Sequence, residues 1–183
     1  MLLCAAAFGQ SANVPRKSPP FSLLGIGQAA LPLESFRGKV VALAFIATTC
    51  PHCQDLTRQL GPLSKEYAPR GVQFLECAFD DGAQLAVPGF IDKFQPPFPV
   101  GFSGRAAVDV YLQRSVMDTR PLWVPHLVFL DRAGVIQADI DGEDPFMHDP
   151  LPNIRAELDK LLGGGGAAKK AGGVAKKAAA TKK

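Results

Sequence analysis

Val40-Val41-Ala42-Leu43-Ala44-Phe45-Ile46-Ala47-Thr48-Thr49-Cys50-Pro51-His52-Cys53 is the stretch that decides the fold. The apolar run from Val40 to Ile46 has no polar alternation, so it reads as a strand buried on both faces. Pro51 suits the first position of a helix, and Gln54 to Tyr67 can continue it. A strand therefore hands a Cys-x-x-Cys pair to the first turn of a helix. There the unpaired backbone N–H groups and the positive end of the helix dipole favour a thiolate at Cys50. The thiolate is the form that reacts. Cys53 lies one turn further on, within reach of a disulfide with Cys50.

Downstream, Gly61-Pro62 is expected to bend or interrupt the helix. Val72 to Phe79 reads as a second core strand, and Asp80-Asp81-Gly82 as a turn. A weaker helix is expected over about 84 to 94, across Pro88-Gly89. A loop and short strand follow between Pro96 and Phe102, then a helical segment from Ala106 to Leu112. His126–Asp131 and Val135–Ile140 read as strands joined by the hairpin residues Arg132-Ala133-Gly134. Ile154, Leu158, Leu161 and Leu162 have the spacing of an amphipathic helix. Upstream, Phe21–Leu24 and Ala30–Leu33 read as short strands around Gly25-Ile26-Gly27. The alternation of strands and helices predicts an α/β fold. Three segments are expected: 1–20, a signal-peptide remnant and linker; 21–162, the folded domain; and 163–183, a disordered tail rich in Gly, Ala and Lys.

The net charge of +3 is misleading: setting aside the six lysines after Leu162 turns it into −3. The body thus offers no electrostatic case for nucleic acid, and only the tail is basic. The tail is expected to be solvated, with weak contact to anionic surfaces as the alternative reading. Met1-Leu2-Leu3-Cys4-Ala5-Ala6-Ala7-Phe8-Gly9 resembles the back half of a secretory signal without its charged start. The expected location is extracytoplasmic, periplasmic or secreted.

Four cysteines are too few for a disulfide scaffold in 183 residues. Cys50 and Cys53 form the pair. Cys77, inside an apolar strand, reads as a small buried hydrophobe. A purely structural disulfide across Cys-x-x-Cys would close a tiny loop and stabilise little. The pair is therefore expected to do chemistry, with no cofactor beyond the Cys50–Cys53 disulfide and no metal.

With this order of elements the chain resembles the thioredoxin-like superfamily, and within it the TlpA/ResA type of extracytoplasmic thiol–disulfide oxidoreductase. The resemblance runs through Phe21-Ser22-Leu23, Leu31, Leu33-Glu34-Ser35-Phe36-Arg37-Gly38-Lys39-Val40-Val41 and Phe45 to Cys53. It continues in Val124-Pro125-His126-Leu127-Val128-Phe129-Leu130-Asp131-Arg132-Ala133-Gly134. It implies a three-layer fold: a mixed central β-sheet flanked by helices, with an N-terminal β extension. It also implies that Val124-Pro125 is a cis peptide beside the sulfurs, and cis is cheap only before proline. Val124 and Thr49 are then the positions that meet an extended substrate. Pro-His between the cysteines, and Val before the proline, resemble the oxidase DsbA, so the site looks DsbA-like on a TlpA-like body.

Three departures bear on the chemistry. Ala44 stands where thioredoxins carry a buried acid that helps deprotonate the resolving cysteine. Leu56 stands where some relatives carry a glutamate, and Thr49 replaces the usual Trp. Without those acids, proton transfer to and from Cys53 is expected to be less assisted, which disfavours a fast reductase more than an oxidant.

In the mechanism these residues imply, Cys50 attacks and forms a mixed disulfide with a substrate cysteine, and Cys53 resolves it. His52 stabilises the Cys50 thiolate by charge or hydrogen bonding, and Pro125 sits beside the sulfurs. The expected partners are cysteine-containing exported proteins and an unidentified redox partner, with the chain acting as a monomer. The leading alternative is a reductant for cytochrome c maturation. A thiol peroxidase is a second, although Leu43 and Ala47 occupy the positions where that motif carries Pro and Thr. A copper- or zinc-binding module using Cys50, Cys53 and His126 is the weakest. His126 follows the proline and is expected to face either the sulfurs or the opposite side. His148 is expected to be solvated, and Trp123 to be a packed aromatic or a substrate platform.

Overall fold

Strand Val40–Ile46 is buried along its whole length, as its unbroken apolar sequence requires. A computed structural model of the chain describes residues 13–164 other than Ile26, Gln28 and Val116. The strands are β1 (Arg16–Lys17), β2 (Ser22–Leu23), β3 (Leu31–Pro32), β4 (Val40–Ile46), β5 (Val72–Ala78), β6 (Val100–Phe102), β7 (His126–Leu130) and β8 (Val135–Ile140). The helices are α1 (Pro51–Tyr67), α2 (Ala83–Phe94), α3 (Arg105–Tyr111) and α4 (Pro150–Gly164). Six strands form one sheet in the order β1-β8-β7-β4-β5-β6. β4, β5 and β6 run parallel, whereas β7 and β8 pair antiparallel. The fold is α/β with a mixed sheet, as expected.

Alternation of side chains along the strands makes two cores. Val40, Ala42, Ala44 and Ile46 of β4 face α1, α2 and α4 through Leu56, Leu60, Leu63, Val87, Phe90, Ile154 and Leu158. Val41, Leu43 and Phe45 face the other way, onto α3 and the N-terminal segment through Phe21, Leu23, Val108 and Tyr111. Each of these large side chains contributes about 1.5–3 kcal/mol by leaving water.

The N-terminal chain covers both edges of the sheet, where unpaired backbone groups would otherwise invite pairing with another chain. β1 pairs with β8 through Arg16↔Ile136 and Lys17↔Val135. Leu24 bridges β6 by exchanging two 2.9 Å backbone hydrogen bonds with Phe102. Gly101 permits that approach, because a Cβ there would sit 2.7 Å from the Leu24 carbonyl oxygen.

Two expectations are corrected. The ordered domain begins before Phe21, since β1 belongs to the main sheet; its short, polar, proline-flanked sequence gave no strand signal. α1 runs on through Gly61-Pro62, so the proline does not interrupt it. The carbonyl that Pro62 leaves without a helical donor is that of Arg58, which is exposed to water. The signal-like Met1–Gly9 and the basic tail beyond Gly164 lie outside the described residues.

Candidate active site

β4 ends at Ile46, and the loop that follows is held from below. The Asp80 carboxylate, just past β5, accepts a 3.0 Å bond from the Thr48 backbone N–H and a 2.6 Å bond from its hydroxyl. Gln54 of α1 donates to the Thr48 carbonyl at 2.9 Å. Cys50 is thereby fixed as the residue that caps α1, with Pro51 at the first helical position. Its Sγ accepts the backbone N–H of Cys53 at 3.4 Å, one of the donors a helix start leaves free. The Cys50 thiol lies 3.8 Å from the Val124 carbonyl oxygen, to which it can donate.

The two sulfurs differ in exposure. Cys50 is half-buried and Cys53 fully buried, and both are free thiols here. Burial pushes the Cys53 thiol far above its ordinary value, and the charges of Cys50 and Glu76 add to the rise. Cys77 is also a buried free thiol, raised by burial alone, and it packs in the opposite core.

The Val124 carbonyl faces the Cys50 sulfur, and the Val124–Pro125 peptide is cis. The loop after β8 presses on this segment. A Cβ on Gly142 would lie 2.7 Å from the Trp123 carbonyl carbon and 2.8 Å from the Val124 nitrogen, so only glycine fits. Thr49 and His52 are exposed beside Cys50. His52, Leu56, Val124, Pro125, Met147 and His148 line a groove of about 350 Å³. Trp123 is half-exposed. Cys50, Cys53, His52, Thr49, Val124 and Pro125 are thus brought to one end of the sheet.

His126 is not part of that group. It shares the face of Val128 and Leu130, and its Nε2 lies 2.6 Å from the Asp139 carboxylate. Arg16 of β1 donates to the other Asp139 oxygen at 2.6 Å, while His126 Nδ1 is 3.8 Å from Asp141. Burial would lower the His126 pKa, but the bonds and charges of Asp139 and Asp141 outweigh it and hold the imidazole above its ordinary value. The sulfur-plus-imidazole metal set of Cys50, Cys53 and His126 is not assembled, because His126 turns to the other side of the sheet.

A buried acid near Cys53 is present after all, which corrects the expectation of a site without one. Glu76 of β5 is fully buried. It pairs in register with Ala44 and accepts from the Thr57 hydroxyl of α1. The resemblance points to β4 for such an acid, whereas here it stands on the neighbouring strand. The available signal was a lone glutamate in a strand whose neighbours on both faces are apolar.

The family model described as Redoxin matches residues 14–158. A thiol-disulfide oxidoreductase ResA of Oceanobacillus iheyensis is 34% identical over 87 residues, covering 45% of this chain and 45% of that protein. The match thus spans less than half the length of that relative. ResA of Bacillus thuringiensis subsp. konkukian is 25% identical over 132 residues, covering 72% of this chain and 71% of its own. Among solved structures, the thioredoxin domain of a thiol-disulfide oxidoreductase from Bacteroides vulgatus superposes with a TM-score of 0.65 at 16% identity, covering 83% of this chain and 99% of that one. A thiol:disulfide interchange protein of the thioredoxin family from Chlorobium tepidum gives a TM-score of 0.63 at 19% identity, covering 83% and 99%. These structural likenesses bear on the fold, which is thioredoxin-like.

Proposed function

The chain belongs to the Redoxin family and is a thioredoxin-like thiol–disulfide oxidoreductase of the ResA type; from that premise we propose that it passes a Cys50–Cys53 disulfide to cysteines of exported proteins. Cys50 is the sulfur that joins the substrate, and Cys53 is the sulfur that leaves and returns. The observation that carries the reading is the position of Cys50 Sγ at the start of α1, accepting the Cys53 N–H. Negative charge on that sulfur meets a hydrogen-bond donor and the positive end of a helix. Stabilising the thiolate stabilises the reduced form, so the disulfide becomes the better oxidant.

His52, in the first helical turn, adds a second stabilising group. Val124 and Thr49 flank Cys50 and offer backbone to an extended substrate segment, and Pro125 packs beneath. The reaction needs no cofactor beyond the disulfide, and it takes place outside the cytoplasm, where disulfides persist.

A second reading, reduction of a partner's disulfide by the same two sulfurs, is favoured by Glu76, since a buried carboxylate beside Cys53 can serve as its base. The exchange is tested by mixing the oxidised chain with a reduced two-cysteine peptide. Transfer of one disulfide per chain, abolished in Cys50→Ser, is expected; no transfer by the wild type overturns the proposal.

A further inference from the structure

His126 opens β7, directly after Pro125, and is buried on the face of the sheet away from the two sulfurs. Its Nε2 lies 2.6 Å from one Asp139 oxygen, and Arg16 donates to the other at 2.6 Å. Its Nδ1 is buried without a hydrogen-bond partner, and an Asp141 carboxylate oxygen stands 3.8 Å away. From β4 comes an apolar neighbour, the Phe45 ring, 6.4 Å from the imidazole. The other charged and titratable groups around the cluster are the Tyr111 hydroxyl of α3, which feels Arg16 and Asp139, and Arg114 and Arg120, which act on Asp141.

Asp139 accepts from Arg16 on one oxygen and from His126 on the other, so Nε2 carries a proton. A neutral ring would then turn the buried lone pair of Nδ1 toward a second carboxylate. A ring protonated on both nitrogens meets an acceptor at each end. The 3.8 Å gap to Asp141 is too long for a hydrogen bond and short enough for attraction between charges. Burial opposes the charge, but the two carboxylates outweigh it and hold the imidazole above its ordinary value. The ladder between β7 and β8 ends at Leu127↔Ile140, so His126 and Asp141 face each other one step past its end. Gly142 comes next, pressed so close to the Trp123–Val124 backbone that a Cβ would lie 2.9 Å from the Trp123 carbonyl oxygen. The Val124 carbonyl oxygen in turn lies 3.8 Å from Cys50 Sγ. Contact by contact, the imidazole is connected to the peptide beside the attacking sulfur.

We propose that His126 is a positioning residue for the exchange: as an imidazolium it ties Asp141 to Asp139, which holds Gly142 against Trp123–Val124 and keeps the Val124 carbonyl facing Cys50. This rests on the exchange proposed above and adds a group that governs its rate from the far side of the sheet. When the ring loses its Nδ1 proton, attraction to Asp141 becomes repulsion between a lone pair and a carboxylate. Asp141, whose side chain is already 34% exposed, turns to water. Gly142 then moves with it, and the Val124 segment loses the backbone that presses on it. No proton or electron of the exchange passes through His126. Its effect is on where the substrate segment meets Cys50, and a displacement there slows the reaction about tenfold or more.

The test follows disulfide transfer from the oxidised chain to a thiol peptide between about pH 5 and about pH 10, with rates corrected for peptide thiolate. The His126 imidazole is titrated by NMR over the same range, in wild type and in Asp141→Asn. That variant leaves the buried bonds of Asp139 to Arg16 and His126 in place, so it keeps the fold. In the wild type the corrected rate should fall about tenfold across the His126 midpoint. In Asp141→Asn the midpoint and the fall in rate should move to lower pH together, because the imidazolium loses one of its two carboxylates. A fall in rate owed to Glu76 or to His52 would stay in place when Asp141 is changed, and that result overturns the proposal. A wild-type profile with no fall, or a His126 midpoint unmoved in Asp141→Asn, overturns it as well, while the exchange reading survives all three. No transfer by the wild type at any pH removes both.

Discussion

Ala44 and Glu76 are register partners on adjacent parallel strands, so the small side chain of one leaves room for the buried carboxyl of the other. Both face α1, where Thr57 reaches Glu76 and Cys53 lies one turn above. The buried acid thus stands on β5 rather than on β4, still facing the helix that carries the resolving cysteine.

Glu76 makes stability depend on pH. Its carboxyl titrates near 8 when folded and near 4.3 when unfolded. Between these values the folded chain holds more protons, so stability falls as pH rises through that window and levels off above it. Urea midpoints of the reduced protein should show this decline, and Glu76→Gln should remove its share.

His126 acts in the same direction over a higher window. Its folded pKa is raised by Asp139 and Asp141 over the opposing effect of burial. Its contribution is therefore fully present below the unfolded value of about 6.5 and is lost as pH rises through the folded one. Asp139→Asn should remove that dependence and cost about 3–5 kcal/mol, because Arg16 and His126 lose the carboxylate they share. Limited proteolysis ahead of Ser18 should speed up in the same variant, as β1 detaches.

Asp80→Ala should loosen the loop that presents Cys50. Two bonds to Thr48 are lost, one of them from a buried hydroxyl. The expected loss is about 1–3 kcal/mol in denaturant unfolding, with slower disulfide exchange at unchanged Cys50 and Cys53.

Gly142→Ala should slow exchange without touching a sulfur. The added methyl meets the Trp123 and Val124 backbone at under 3 Å, and so displaces the segment that faces Cys50. The rate of disulfide transfer to a peptide should drop about tenfold or more, while the alkylation rate of Cys50 stays near that of the wild type.

Strand β4, the capped start of α1 and the hairpin between β7 and β8 were legible in sequence because each has a local signal: an unbroken apolar run, Cys-Pro at a helix start, and Gly134 in a tight turn. The paired sulfurs share that kind of signal, whereas the Val124-Pro125 segment is marked only by the resemblance to the thioredoxin-like superfamily. β1 was not, because two polar residues gain strand character only from a partner 120 positions along the chain, Ile136. Glu76, Asp80 and Asp139 were missed for a related reason. Their meaning lies in what folding sets opposite them (Thr57, Thr48, and the His126–Arg16 pair) rather than in their neighbours along the chain.

His52→Ala should make the disulfide less oxidising, since it removes one of the groups that steady the reduced form.

The most direct measurement is the reduction potential of the Cys50–Cys53 couple, read at equilibrium in glutathione buffers. An oxidant of exported proteins requires a value clearly less negative than the roughly −270 mV of thioredoxin. A value at or below that figure contradicts the oxidising role and makes the chain a reductant.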